Sequence, residues 1–506
     1  MKILPLSRSH RLLIFSFIIS AGFLTVLSKN SPLYPMNDWV DVHCFFTLGR
    51  GILDGQVPYL DLYEQKGPVL YFLYALAALI SRDTFWGVFL LETVTFGLFL
   101  YFSGKLAQLY LGESKVVYWI VALLAALLPI TKAFCHGGSV EELCLFMLVY
   151  GLYSTARATK EKRTLTFREA FINGVFAAMT LWIKFTMTGF YIGLALYVLI
   201  SYLLPKPQWK QLGITIGGFL AGIAAVSALV FAYFLWHGAA DDLMTVYFYN
   251  NLTLYPVEID TAETSRLTMF REIFKQITEK NKQVATLIGI GLLGLLADLR
   301  KNWRILLAVV LSLAGLYAGT YWGMRPYTYY AMIFGAFAVY GPIAVVRLLR
   351  LLRLNMLLRP LEPFRWLQNL AIAAVVMLLF SCSFTRSQNT YLMSYEKEDM
   401  PQYKFAQIIN TVEDPKILNY GFLDAGFYYT TQTQPNCKFF CNFNINVPEM
   451  WSTQRELIEN GEVDFIITRR YTIASYSPDT SAYTLVSTAN MYFEGVEFVY
   501  YLYQKQ

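Results

Sequence analysis

Apolar runs long enough to cross a bilayer recur along most of this chain, and that fact limits its fold more than any motif does. They fall at about 11–28, 84–104, 116–132, 140–156, 167–184, 186–204, 212–237, 282–298, 304–323, 328–347 and 366–384. About 20 apolar residues in a helix cover the hydrocarbon layer. Within that layer every backbone N–H and C=O must be paired internally, which favours helices for runs of this length. Only 15% of the 506 residues are charged and 56% are hydrophobic, whereas a soluble domain carries about 25% charged residues. The expected fold is therefore a polytopic α-helical membrane protein with about eleven crossings.

Loop charge orients it. The richest cationic loops are Arg157 to Arg163 with Arg168, Arg300 to Arg304, and Arg347 through Arg350, Arg353, Arg359 and Arg365. Cytoplasmic loops hold Lys and Arg. All these loops share the side of Lys2, Arg8 and Arg11 only if the 13-residue run Pro68–Ile80 does not cross. That run is short of a span and reads as a helix lying in or re-entering the outer leaflet. The N-terminus is then cytoplasmic. Residues 29–83, the turns 133–139 and 323–327, the 238–281 loop and everything after Phe384 lie outside. The first span, with Lys29-Asn-Ser-Pro after its apolar core, lacks a small-x-small cleavage motif and reads as retained. The formal charge of +6 sits in short loops and gives no nucleic-acid signal.

Two modules follow: a transmembrane module over 1–385, whose first external loop is 29–83 with juxtamembrane helices, and a small extracytoplasmic α/β domain over 386–506. In the latter, Lys416–Gly421 and Val463–Thr468 read as strands and Glu449–Asn460 as a helix. Tyr483–Thr488 and Val496–Tyr503 read as a hairpin. In the 238–281 loop, Ser265–Lys280 reads as a helix, and Asn251-Leu-Thr matches a glycosylation sequon.

Charges beside hydrocarbon are costly, about 2.5–3.5 kcal/mol each on insertion scales, so they mark sites. The first external loop gathers Asp38, Asp41, Asp61, Glu64 and Lys66. Asp41 opens an amphipathic helix, Val42–Leu53, and Asp38 lies three residues earlier. A carboxylate held partly out of water is a usable general base; helix capping is the plainer explanation of both acids. Lys66 precedes Gly67-Pro68, a helix start, where a cation and backbone N–H groups suit a phosphate; a snorkelling lysine is the plainer explanation. Glu141 and Glu142 enter a span after Cys135-His-Gly-Gly-Ser-Val, where the helix dipole alone would favour them. Lys184 lies at the midpoint of a long apolar stretch, which makes it an outer turn between two spans. Arg325-Pro-Tyr327 forms another such turn. Cations among aromatics at a leaflet suit a lipid phosphate, and an aromatic belt accounts equally for the tyrosines.

The six cysteines and four histidines show no zinc spacing. Cys437 and Cys441, if in a strand, stand too far apart for a disulfide. No phosphate loop appears, so ATP-driven transport has no support.

The order of these features resembles a known family. It runs from a first span and an acidic external loop to "Lys-Gly-Pro", "Gly-Gly-x-x-Glu-Glu", a mid-stretch "Ile-Lys", "Arg-Pro-Tyr" and an external α/β tail. It is similar to the bacterial GT-C glycosyltransferases of the RgtA/B/C/D-like group, relatives of protein O-mannosyltransferases and of the lipid A aminoarabinose transferase. The resemblance is strongest over Asn37–Leu79. It implies an inverting transfer, at the outer face of a bacterial cytoplasmic membrane, of a sugar from a polyprenyl-phosphate donor to a cell-surface glycan or lipid-linked acceptor. It implies Asp41 as the base, with Asp38 as the alternative because Val42 stands where many relatives carry a second acid. It implies Lys66 beside the donor phosphate, with Lys184 and Arg325 as supporting contacts. Asp61, Glu64, Glu141, Glu142 and Tyr327 would line the substrate or metal cleft. No cofactor is required by the sequence; a divalent metal on Asp38, Asp61 or Glu64 is compatible with it. The competing expectation is a transporter or flippase of lipid-linked saccharides, which should show internal repeats. The sequence leaves sugar, acceptor, polyprenyl length and oligomeric state open.

Overall fold

A computed structural model describes residues 7–256, 265–353, 365–476, 478–493 and 495–506. Lys2 and Arg359, counted above among the loop cations, lie outside the described residues, as does the 257–264 part of the 238–281 loop. The chain divides into two compact units. One comprises 1–28, 92–229 and 257–390; the other comprises 29–91, 230–256 and 391–506.

The first unit is helical. It holds α1 (Arg8–Leu27), most of α4 (Trp86–Leu111), α5 (Val116–Leu127), α6 (Val140–Lys160), α7 (Phe167–Lys184), α8 (Gly189–Leu203) and most of α9 (Trp209–Trp236). Helices Lys282–Leu296, Leu299–Thr320, Tyr340–Leu351 and Arg365–Arg386 complete it. Among the described residues, six helical stretches are long and apolar enough to cross a membrane. A seventh is the bent pair Thr328–Phe337 and Tyr340–Leu351, if its 42° break is taken as one span.

The longest stretch, 167–203, covers 37 residues. Run straight it would be about 55 Å long. Instead, the Leu165 N–H donates to the Tyr202 hydroxyl at 2.7 Å, and the Thr159 and Tyr197 hydroxyls meet at 2.9 Å. Its two ends therefore lie side by side, and α7 and α8 form a hairpin. A short 3-10 turn, Phe185–Thr188, follows Lys184, whose backbone is extended. The lysine is at the reversal, as the sequence predicts. Lipid tails give helices no hydrophobic reason to associate, so small residues that admit close packing decide the neighbours. Gly189 and Gly193 face the carbonyls of Gly315 and Leu311 in helix Leu299–Thr320, with no room for a Cβ.

The second unit joins three segments. In the first, α2 (Val40–Leu53) buries Phe45, Phe46 and Leu48, but it is covered on every side from Val42 to Gly51 and not on one amphipathic face. It packs on α3 (Pro68–Ile80). Gly49 lies against the Tyr74–Ala75 backbone. Helix α3 is 13 residues long, too short to cross upright. In the last segment, β1 (Ile417–Tyr420), β2 (Phe465–Arg469), β3 (Tyr483–Phe493) and β4 (Val496–Lys505) form one sheet in the order β1-β2-β4-β3. β1 and β2 are parallel, as a crossover through helix Pro448–Glu459 requires. The other pairings are antiparallel. Leu418, Tyr420, Ile458, Val463 and Ile466 fill the core. The Cys437–Cys441 segment is a turn and not a strand, and both thiols are free.

The three segments are tied together by polar contacts on α2 and the first loop. The buried Asp424 carboxylate accepts from Thr47 Oγ1 (2.8 Å), Asn419 Nδ2 (3.1 Å) and the Gly426 N–H (2.9 Å). Arg50 donates to the Tyr428 carbonyl at 3.0 Å. The Tyr63 N–H donates to the Lys438 carbonyl at 2.8 Å. From the middle segment, Phe234 stacks on Tyr59 at 5.5 Å. Asn251 Nδ2 donates to the Gln65 carbonyl at 2.7 Å. The sequon asparagine thus has a structural use in pinning this segment to the loop.

His43, also buried on α2, donates from Nε2 to the Asn37 carbonyl at 2.5 Å. Burial pushes its pKa below the usual 6.5. The unfolded chain therefore takes up the proton first, and His43 contributes stability that is present above the unfolded value and lost as pH falls through it. Melting in detergent should fall between pH 7.5 and 5. In His43→Gln, which keeps a donor and cannot titrate, that fall should be smaller; an identical pH dependence would rule His43 out as its source.

Candidate active site

Helix α2 starts with Trp39 in the cap position and makes no side-chain capping bond. Neither Asp38 nor Asp41 is used as its cap. Asp41 lies in the first turn and is partly exposed. Asp38 is buried and its two oxygens hold Lys29 Nζ at 2.7 and 2.9 Å. The Tyr391 hydroxyl bridges the pair, 3.2 Å from each, and Lys29 lies 4.9 Å from the centre of that ring. A buried carboxylate with a full counter-charge is a structural element, and removing one partner of such a pair costs about 3–5 kcal/mol. The two acids are therefore inequivalent.

The turn before α3 is held by its own side chains. The Lys66 N–H donates to Glu64 Oε2 at 2.8 Å, and the Tyr71 hydroxyl donates to the same oxygen. The Tyr59 and Tyr71 hydroxyls donate to the Lys66 carbonyl at 2.5 and 2.9 Å. This fixes the lysine backbone one residue before Gly67, the N-cap of α3. Its Nζ stands 3.6 Å from Glu64 Oε1 and 5.6 Å from the centre of the Phe45 ring. Phe45 is four residues after Asp41 on α2, and residues i and i+4 share a helix face. The ammonium therefore lies over the face of α2 on which Asp41 sits about one turn away. The Glu64 contact is longer than a tight ion pair of about 2.7–2.9 Å, so a stronger anion can displace it. Asp61 is exposed and accepts from the Val57 N–H at 2.7 Å. Asp38, Asp61 and Glu64 are thus tied into separate contacts and do not form one donor set for a metal. Among the described residues no group of three or more His, Cys, Asp or Glu side chains is arranged to hold one.

The helical unit carries a second cluster. Gly137 and Gly138 take positive φ (92° and 79°), and Ser139 caps α6. Glu141 and Glu142 fall in the buried first turn. Glu141 Oε1 accepts from Lys184 Nζ at 2.5 Å. The ammonium stands 3.2 Å from the Tyr330 ring centre. Tyr327 packs edge-on against Tyr330 at 5.4 Å. Arg325 lies half-buried in the turn before these tyrosines. Glu142 accepts from the Gly138 N–H at 3.0 Å, and Glu92 accepts from Ser28 Oγ at 2.6 Å. Lys184, Glu141, Tyr330 and Tyr327 thus form one cluster, in which Lys184 is paired with Glu141. Sequence reasoning missed Lys29, Tyr391 and Glu92. Glu92 had a signal, a carboxylate inside an apolar span. Lys29 had only the look of a snorkelling residue.

No family model matches the sequence, and no curated protein matches it. Solved structures do. ArnT from Cupriavidus metallidurans bound to undecaprenyl phosphate superposes with a TM-score of 0.61 at 10% identity, over 98% of each chain. Its apo form gives 0.60 at 11% identity, over 97% of this chain and 98% of that one. The archaeal oligosaccharyltransferase AglB from Archaeoglobus fulgidus, in complex with an inhibitory peptide and a dolichol-phosphate, gives 0.53 at 11% identity, over 91% of this chain and 69% of that one. At such identities the likeness is one of fold: this chain shares the fold of ArnT and of AglB.

Proposed function

We propose that this protein is an inverting glycosyltransferase that moves a sugar from a polyprenyl-phosphate donor to a cell-surface glycan or lipid-linked acceptor. The observation that carries the reading is the placement of Lys66 over the face of α2 that bears Asp41. A transferase of this kind needs a base on one side of the anomeric carbon and a cation beside the leaving phosphate. Undecaprenyl phosphate bound to ArnT and dolichol-phosphate bound to AglB support the donor class.

Asp41 removes the proton from the acceptor hydroxyl. The oxygen attacks the anomeric carbon from the side opposite the phosphate. The bond from that carbon to the phosphate oxygen breaks, and the electron pair leaves with polyprenyl phosphate, whose charge Lys66 stabilises. The configuration inverts. Asp38 is reserved for Lys29 and holds the approach to α2. Lys184 neutralises Glu141 and supports the Tyr327–Tyr330 turn. The site faces the outside of a bacterial cytoplasmic membrane, as the loop charges favour.

Purified protein given a polyprenyl-phosphate sugar and an acceptor should release polyprenyl phosphate. Asp41→Asn should lower turnover about 10²–10⁴-fold, and Lys66→Ala about 10²–10³-fold, each measured on protein shown to be folded. Full turnover in Asp41→Asn would move the base elsewhere. Asp38→Asn should instead destabilise the protein by about 3–5 kcal/mol, and Lys29→Met with Asp38→Leu should recover part of that loss. A stable Asp38→Asn protein without turnover would make Asp38 the base.

A further inference from the structure

A second charged pocket lies at the other end of α7. It has a volume of about 450 Å³ and is lined by Arg157, Arg163, Arg168, Glu169, Tyr150 and Tyr153. Helix α7 runs 18 residues from Phe167 to Lys184. At 1.5 Å per residue that is about 26 Å, close to the thickness of a bilayer core. The pocket therefore sits at the membrane face opposite Lys184 and is distinct from the cluster described above.

The charges there do not cancel. Glu169 holds Arg163 through two contacts of 2.6 and 2.8 Å, and completes a capping box with Thr166. Glu161 is shared between Arg157 at 2.9 Å and Arg163 at 2.7 Å. Three guanidinium groups thus face two carboxylates, and among the described residues Arg168 is exposed and has no ion pair. The walls are aromatic. Arginine forks bind phosphate oxygens in pairs. Basic pockets between membrane helices suit anionic headgroups, and the loop-charge argument puts this end in the cytoplasmic leaflet, where anionic lipids reside.

One side chain away the surroundings become apolar. Asn173 Nδ2 donates at 3.0 Å to Ser154 Oγ, which lines the arginine pocket. Asn173 itself lines a neighbouring cavity of about 280 Å³ walled by Leu194, Val198, Leu212, Ile216 and Phe219. Its Oδ1 is buried there without a partner. A polar, cationic pocket beside an apolar cavity fits an amphiphile with one anionic end. We propose that this pocket binds the phosphate of an anionic phospholipid of the inner leaflet, with the acyl chains lying in the adjoining apolar layer. The reading does not depend on which residue is the catalytic base.

The test uses the full chain purified in a neutral detergent, with phosphatidylglycerol, phosphatidylcholine or inorganic phosphate added. Lipid retention is read by native mass spectrometry and stability by thermal melting. Phosphatidylglycerol should be retained and should raise the melting temperature; phosphatidylcholine and inorganic phosphate should not. Each cation near an anionic lipid contributes about fivefold, so Arg168→Gln should weaken retention about fivefold and Arg157→Gln with Arg168→Gln about 25-fold. Arg168 has no ion pair to lose, so the single variant keeps its fold. Lys206→Gln with Lys210→Gln, which removes two exposed cations of the next loop, should leave retention unchanged. Equal retention of both lipids, unchanged retention in the arginine variants, or a full effect of inorganic phosphate alone would overturn the proposal.

Discussion

Lys29 and Asp38 neutralise each other where almost no water reaches them, and the order of the first external loop depends on that pair. The chain leaves α1 at Leu27 and must turn into α2 at Val40 within a dozen residues. Two buried, opposite charges with a tyrosine hydroxyl across them admit few arrangements of the intervening backbone. A salt bridge of this kind is a weak source of net stability and a strong source of specificity when its partners cannot be replaced one at a time. Its consequence for chemistry is selective. It holds Asp38 against Lys29 and leaves Asp41, three residues on, in a partly exposed turn of the same entry into α2.

The same logic recurs at Lys184. A lysine that interrupts 37 largely apolar residues has to find a partner or leave the membrane. It does both: it sits at a chain reversal and it binds Glu141. Lys66 is the exception. Its backbone is held by three hydrogen bonds with Glu64, Tyr59 and Tyr71, while its ammonium makes a longer contact to Glu64 Oε1. A rigid backbone with a replaceable counter-ion is what an anion site needs, because binding then costs little ordering of the chain.

Much of the fold was legible because its causes are local. Apolar runs gave the helices, the length of Pro68–Ile80 marked it as too short to span, and short apolar runs between turn signals gave the strands of the C-terminal sheet. The midpoint lysine gave the α7–α8 hairpin. Pairings between distant residues were not legible. Lys184 meets Glu141 across 43 positions, and Thr47 meets Asp424 across 377. Only the folded chain puts 29–91, 230–256 and 391–506 into one unit. The acids of the first loop were found as a group, but their inequivalence rests on Lys29, nine residues before Asp38, which no spacing rule selects.

The central claim is that Asp41 and Lys66 serve one reaction from one face of α2. A cryo-electron microscopy map of the protein in nanodiscs with undecaprenyl phosphate tests it most directly. The account predicts phosphate density beside Lys66 Nζ above Phe45, with Glu64 displaced from the ammonium and Asp38 still held by Lys29. Phosphate density away from Lys66, or a carboxylate other than Asp41 facing the phosphate across α2, would contradict it.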